Sequence, residues 1–234
     1  MGAGRSRCLS AWPFGKVGRT MTTRSRAPYV PSRYFSLVEG AGTVSSMVAV
    51  APGGRITRER YWQLVGEGVI GPDERIELLE GVIVAMVPQN PPHAFTTMAL
   101  TRLLSAALGP GATLRVQLPL DIGEFSTPEP DFAVVPGRAE DYLAAHPTGA
   151  LLVIEVSDTT LSQDRITKGA IYAAGSVPEY WIVNLRNACV EIHRAPRAAE
   201  RRYAEQHVVR AGDRLEPIAL PGVSIAVAEI LPPT

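Results

Sequence analysis

Ala150-Leu151-Leu152-Val153-Ile154-Glu155-Val156-Ser157 is the stretch on which the fold turns. It is apolar and mostly branched from Ala150 to Ile154, and an acid then interrupts the run before Val156. A continuous apolar run of this length predicts a strand buried on both faces. A carboxylate at the end of such a strand is costly to bury unless a cation or hydrogen-bond donors compensate, so Glu155 calls for a chemical reason. Pro128-Glu129-Pro130-Asp131-Phe132-Ala133-Val134-Val135 repeats the design, a short apolar strand with Asp131 at its start. Two acids on neighbouring core strands suggest a metal site.

Outward from these strands, Arg75 to Met86 predicts a hairpin with Glu80-Gly81 at its turn and Glu77 inside its first strand. Glu77 fits a solvated strand face and a functional position equally well. His93 to Leu108 predicts a helix, with Leu100, Leu103, Leu104 and Ala107 at helical spacing and Gly109-Pro110-Gly111 as its stop. Leu114 to Leu120 predicts a strand carrying Pro119 near its end or on an edge. Gln163 to Ala174 predicts a helix on which Asp164, Lys168 and Tyr172 share one face. Tyr180 to Asn184 and Val190 to His193 predict a further strand pair. Gly66-Glu67-Gly68-Val69-Ile70-Gly71 matches a dinucleotide-binding glycine pattern, but it follows a predicted helix, Thr57 to Val65, and precedes Pro72, so it predicts a helix stop.

With 234 residues and nearly half of them hydrophobic, the chain is long enough for one domain with a sizeable core. Residues 1–46 stand apart. Arg5, Arg7, Lys16, Arg19, Arg24, Arg26 and Arg33 face the single acid Glu39 without periodicity. They predict a disordered basic extension, with a nucleic-acid-binding arm as the functional alternative, or a mis-set start with Met21 or Met47 as the true first residue, ahead of a domain over 47–234. The formal net charge is zero, so overall charge does not advertise nucleic-acid binding. Two distant cysteines exclude a disulfide framework and a thiolate metal site, which makes a reducing cytoplasm the default expectation. No apolar run approaches the ~18 residues of a membrane span, so no membrane partner is expected.

Asp131 and Glu155 are the candidate metal ligands. Mg2+, with Mn2+ as an alternative, takes hard oxygen ligands and keeps several waters, and it can polarise a phosphate and activate water. A lysine nearby would orient that water or neutralise developing charge. In the P-D…(D/E)-x-K nuclease pattern that lysine stands two residues after the second acid. Here the position holds Ser157, and Lys168 on the following helix is the substitute.

The pieces Ile76-Glu77-Leu78-Leu79-Glu80-Gly81, Pro92-His93, Glu129-Pro130-Asp131, Val153-Ile154-Glu155-Val156-Ser157, then Asp164, Lys168, Tyr172 and Val177-Pro178-Glu179-Tyr180-Trp181-Ile182-Val183 come in a telling order. In that order and spacing the chain resembles, from about Thr57 to Leu231, the Uma-two family of restriction-type endonucleases within the PD-(D/E)XK superfamily. The resemblance implies an α/β, restriction-endonuclease-like core with a mixed central sheet and helices on both faces. It implies metal binding by Asp131 and Glu155, a catalytic role for Lys168, a third acid at Glu77, and Asp164 and Tyr172 as groups that position the lysine. The family's lysine is similarly displaced onto the helix.

Three functions follow as expectations: a Mg2+-dependent DNA endonuclease, a catalytically silent nuclease-fold binding or assembly module, and a metal-dependent hydrolase with another substrate. The carboxylate and lysine set argues for chemistry. A homodimer would concentrate Arg115, Arg138, Arg165 and Arg186 around a cleft for DNA. His93 reads as an exposed histidine at a helix start, outside the core set. Gly222 to Ala226 makes a poor nucleophile elbow, with no final glycine and no histidine after it, which discounts a serine hydrolase.

Overall fold

The structure, a computed structural model, describes Val48–Ala49 and residues 54–233; the extension expected over 1–46 lies outside the described residues. Strand β1 (Val48–Ala49), helix α1 (Arg58–Gly66) and the hairpin β2 (Ile76–Leu79) and β3 (Val82–Ala85) come first. Thr57 caps α1 by accepting the Arg60 N–H at 3.2 Å. The hairpin turns where expected. Glu80 and Gly81 both take positive φ, 55° and 81°, as a two-residue turn matched to strand twist requires. Gly81 has a second reason to be glycine, because a Cβ there would come 2.5 Å from Arg55 Cβ.

Helix α2 (Pro91–Ala107) starts two residues earlier than the sequence pattern indicated. Asn90 caps it by accepting the His93 N–H at 3.0 Å, and Pro91 and Pro92 occupy first-turn positions whose N–H groups have no helical partner to lose.

Six strands then line up in chain order: β4 (Ala112–Val116), β5 (Phe132–Pro136), β6 (Leu152–Ser157), β7 (Glu179–Asn184), β8 (Cys189–Arg197) and β9 (Arg202–Arg210). Only the β6–β7 pair is parallel, because a helical crossover separates those two strands. The crossover is α3 (Leu161–Gln163), a π-helical turn (Asp164–Lys168) and α4 (Gly169–Ala174), running on without a break. A short pair, β10 (Arg214–Leu215) and β11 (Ile225–Ala226), closes the chain. The sheet is mixed and the fold α/β, as expected.

The period-two alternation of β5 and β6 sorts the core into two layers. Phe132, Val134, Leu152, Ile154 and Val156 pack with Leu100 and Leu104 of α2 and with Leu220, Val227 and Ile230 near the C-terminal end. Ala133, Val135 and Val153 pack on the opposite face with Ile171 and Tyr172 of α4 and with Leu79 and Val84 of the hairpin. Helices therefore cover both faces, which explains why β6 is apolar without interruption until Glu155.

The strand expected over Leu114 to Leu120 stops at Val116. Gln117 enters the left-handed region at φ 52°, which breaks the ladder before Pro119. Among the described residues no helix is long and apolar enough to cross a membrane.

Candidate functional site

The β5–β6 register pairs Phe132 with Ile154, so Asp131 and Glu155 stand opposite each other one step beyond the last pair. Both belong to the face covered by the π turn and α4. The ladder has ended there, and side chains take up its last backbone donors. The Val156 N–H donates to Asp131 Oδ2 at 2.8 Å, and the Asp131 N–H approaches Glu155 Oε2 at 3.4 Å.

Glu77 arrives from the hairpin. It is buried, and its Oε2 accepts the Glu129 N–H at 3.2 Å. Lys168 joins the three elements: its Nζ lies 3.1 Å from Glu77 Oε2 and 3.1 Å from Glu155 Oε1. Tyr172, one turn further along, donates its hydroxyl to the same Glu155 oxygen at 2.7 Å. Asp164 is buried at the start of the π turn, where Thr160 Oγ1 donates to its Oδ2 at 2.7 Å. Asp131, Glu155, Glu77, Lys168, Asp164 and Tyr172 are thus all brought to one region of one sheet face. All but Tyr172 line a single cleft of about 90 Å3, room for several waters.

The π turn shapes this arrangement. The Gly169 N–H reaches back five residues to the Asp164 carbonyl, which widens the helix by one residue, a feature frequent at functional sites. Arg165 within the turn forms two hydrogen bonds, 2.8 and 2.6 Å, to the buried Glu191 of β8. That clamp holds the wide turn against the sheet.

Electrostatics separate the two paired acids. Burial raises Asp131, but donors from His93, Val156 and Gln117 outweigh it and hold its carboxyl below the usual range. Burial dominates at Glu155 and pushes it up to about 8, with Lys168 opposing and Asp164, Asp131 and Glu77 adding repulsion. Burial would lower Lys168, but Glu155, Glu77 and Asp164 outweigh it and hold the ammonium well above its ordinary value. Burial also raises Asp164 and Glu129. The carboxyl groups of the cleft outnumber its one lysine and repel one another, a repulsion that a bound cation would relieve.

Among the described residues no three Asp, Glu, His or Cys side chains converge as a ready-made metal cage. The donor set instead fits a hydrated Mg2+, which takes one or two carboxylates and keeps its remaining waters.

The sequence reading missed four neighbours. His93, expected to be an exposed helix-start histidine, is only partly exposed, and its Nε2 lies 3.2 Å from Asp131 Oδ2. Its signal was the Asn90-Pro91-Pro92 start, which fixes His93 in the first helical turn. Gln117 donates to Asp131 Oδ1 at 3.0 Å; no local pattern announces it. Glu129 and Gln163 also line the cleft. Within the single chain the four arginines expected to gather in a homodimer each have a partner, that of Arg186 being Asp158 of the cleft lining. Arg165 is bound to Glu191, Arg186 to Asp158 and Arg138 to Glu140, and Arg115 is buried against the Pro119 carbonyl and His146.

A family model described as Uma2, "Putative restriction endonuclease", matches residues 58–228. Among solved structures, the crystal structure of "a putative nuclease belonging to DUF820 from Anabaena variabilis" is similar, with a TM-score of 0.61 and 17% identity over 75% of this chain and 97% of that one. At that identity the likeness speaks for the fold. Comparison with curated proteins gives no match. The family match takes in the hairpin, the paired strands and the π turn together, and by it the chain belongs to the Uma2 family.

Proposed function

We propose that the chain is a divalent-metal-dependent endonuclease that hydrolyses DNA phosphodiester bonds at the cleft holding Asp131, Glu155 and Lys168, in the manner of PD-(D/E)XK nucleases. The observation that carries this reading is the lysine bridge: one buried ammonium held at 3.1 Å by two acids from different elements, beside a third acid. Asp131 and Glu155 would hold the ion. Mg2+ or Mn2+, when bound, supplies Lewis-acid polarisation of the phosphoryl group and activates water.

The remaining roles fall to the chain. Lys168 is held as an ammonium, so it donates hydrogen bonds and does not abstract a proton. Its charge offsets the negative charge that develops on the phosphoryl oxygens. Glu77 anchors that ammonium from the hairpin side. Tyr172 fixes the rotamer of Glu155 through Oε1, leaving Oε2 with one long backbone contact as the oxygen best placed for a cation. Asp164 adds negative charge behind Lys168 and keeps it protonated.

Incubation of supercoiled plasmid with the full chain and Mg2+ or Mn2+, beside Glu155→Ala, tests the reading. Nicking or linearisation that requires both metal and Glu155 supports it. Saturable metal binding without cleavage of any DNA form would instead favour a silent module.

A further inference from the structure

We propose that Arg75 is a phosphate-binding residue of this cleft, taking the DNA phosphodiester next to the reacting one; the inference rests on the nuclease reading above. A floor lined by Glu77, Glu129, Asp131, Glu155 and Asp164 repels a polyanion, so the mouth needs positive charge to admit one. Arg75 lines the same cleft and is exposed. The β2–β3 ladder continues past Ile76, since the Met86 N–H donates to the Arg75 carbonyl at 2.9 Å. Strand alternation then sets Arg75 on the same side as Glu77, two residues or about 6.6 Å towards the open end. That distance is comparable to the step between neighbouring phosphates on one strand.

Several arginines near the sheet are already paired. Arg58, Arg138, Arg165, Arg186 and Arg194 each face a carboxylate. Among the described residues Arg75 makes no ion pair and no side-chain hydrogen bond, although its field reaches Glu129 across the cleft. A guanidinium without a partner at the rim of an acidic cleft is suited to bidentate capture of phosphate oxygens.

The test compares the full-length wild type with Arg75→Gln, Arg75→Lys and Arg138→Gln. Arg138 lies beyond the far end of β5 from Asp131 and serves as the control. Binding of a fluorescein-labelled mixed-sequence duplex is followed by anisotropy in EDTA over a salt series, and KM and kcat are followed in Mg2+. Arg75→Gln is expected to weaken binding about tenfold and raise KM to match, with kcat nearly unchanged. Its log-affinity against log-salt slope should be shallower by about 0.9, the loss of one phosphate contact. Arg75→Lys should recover the slope and part of the affinity, and Arg138→Gln should change neither. Wild-type affinity and slope in Arg75→Gln, or an equal loss in Arg138→Gln, would overturn the assignment. Arg75-dependent binding without wild-type cleavage would overturn the catalytic reading alone, whereas a wild type that neither binds nor cleaves would remove both.

Discussion

Lys168 Nζ meets Glu155 Oε1 at 3.1 Å from a neighbouring helix, thirteen residues further along the chain than the acid. Lys168→Ala should therefore have two separable effects. Removing one partner of a buried pair costs about 3–5 kcal/mol, and here it leaves both Glu77 and Glu155 uncompensated, so the melting temperature should fall by several degrees. Cleavage should fall by at least about a hundredfold, while metal affinity persists or tightens because a competing cation has gone. Equal cleavage by mutant and wild type, assayed below the lowered melting temperature, would remove Lys168 from the mechanism.

Asp131→Ala and Glu155→Ala should each abolish saturable Mg2+ and Mn2+ binding in calorimetric titration. Asp131→Ala removes a negative charge from an acidic cleft and should leave the chain folded, whereas Glu155→Ala also takes a buried partner from Lys168 and Tyr172 and should lower the melting temperature. Glu155→Gln keeps a side-chain acceptor for Tyr172, and in the absence of metal it should melt at or above the wild-type temperature. Unchanged metal affinity in both alanine variants would place the ion elsewhere.

The raised Glu155 carboxyl gives metal binding a pH dependence with a definite sign. Between the ordinary glutamate value, about 4.3, and about 8 in the fold, the folded metal-free chain holds a proton that the unfolded chain has released. Metal-free stability should then decline as pH rises through that window. The ion needs the ionised form, so its apparent affinity should climb by up to about tenfold per pH unit until about 8, with release of one proton. Thermal melts and titrations at pH 6, 7 and 8 check both trends, and a flat metal affinity across that range would contradict the assignment.

Gln117 holds Asp131 from a left-handed backbone at φ 52°, a conformation that costs a non-glycine residue about 1–3 kcal/mol. Gln117→Gly relieves that backbone and removes the amide donor. Its melting temperature should stay near or above that of Gln117→Ala, which keeps the strain and loses the donor. Both variants should weaken metal binding several-fold by freeing Asp131. Wild-type metal affinity in both would reduce Gln117 to a turn residue.

Sequence patterns resolved the sheet strands and the acids that end them, because apolar period and an out-of-place charge are local signals. The strand from Leu152 and the hairpin turn at Glu80-Gly81 fall where those signals put them. Four features depend on information that no local window contains. His93 reaches Asp131 only because α2 packs on the sheet through Leu100 and Leu104. Strand β4 ends at Val116 through a left-handed residue that is not glycine. Asp164, Lys168 and Tyr172 have the same spacing in an α-helix as around a π turn, so the widening was invisible. Arg165 finds its partner in Glu191, which tertiary packing brings to it.

The bridging lysine also bears on the order in which a working site comes into being. Asp131 and Glu155 come together as soon as β5 and β6 zip. Lys168 meets them only when the crossover helix lies on the sheet, where Arg165 binds Glu191 of a strand made later in synthesis. On the proposed chemistry, a chain still emerging or partly opened at that helix carries the acid pair without its ammonium. A loosened crossover would then disarm the site while its acid pair stayed in register, which makes the helix an interlock on that chemistry.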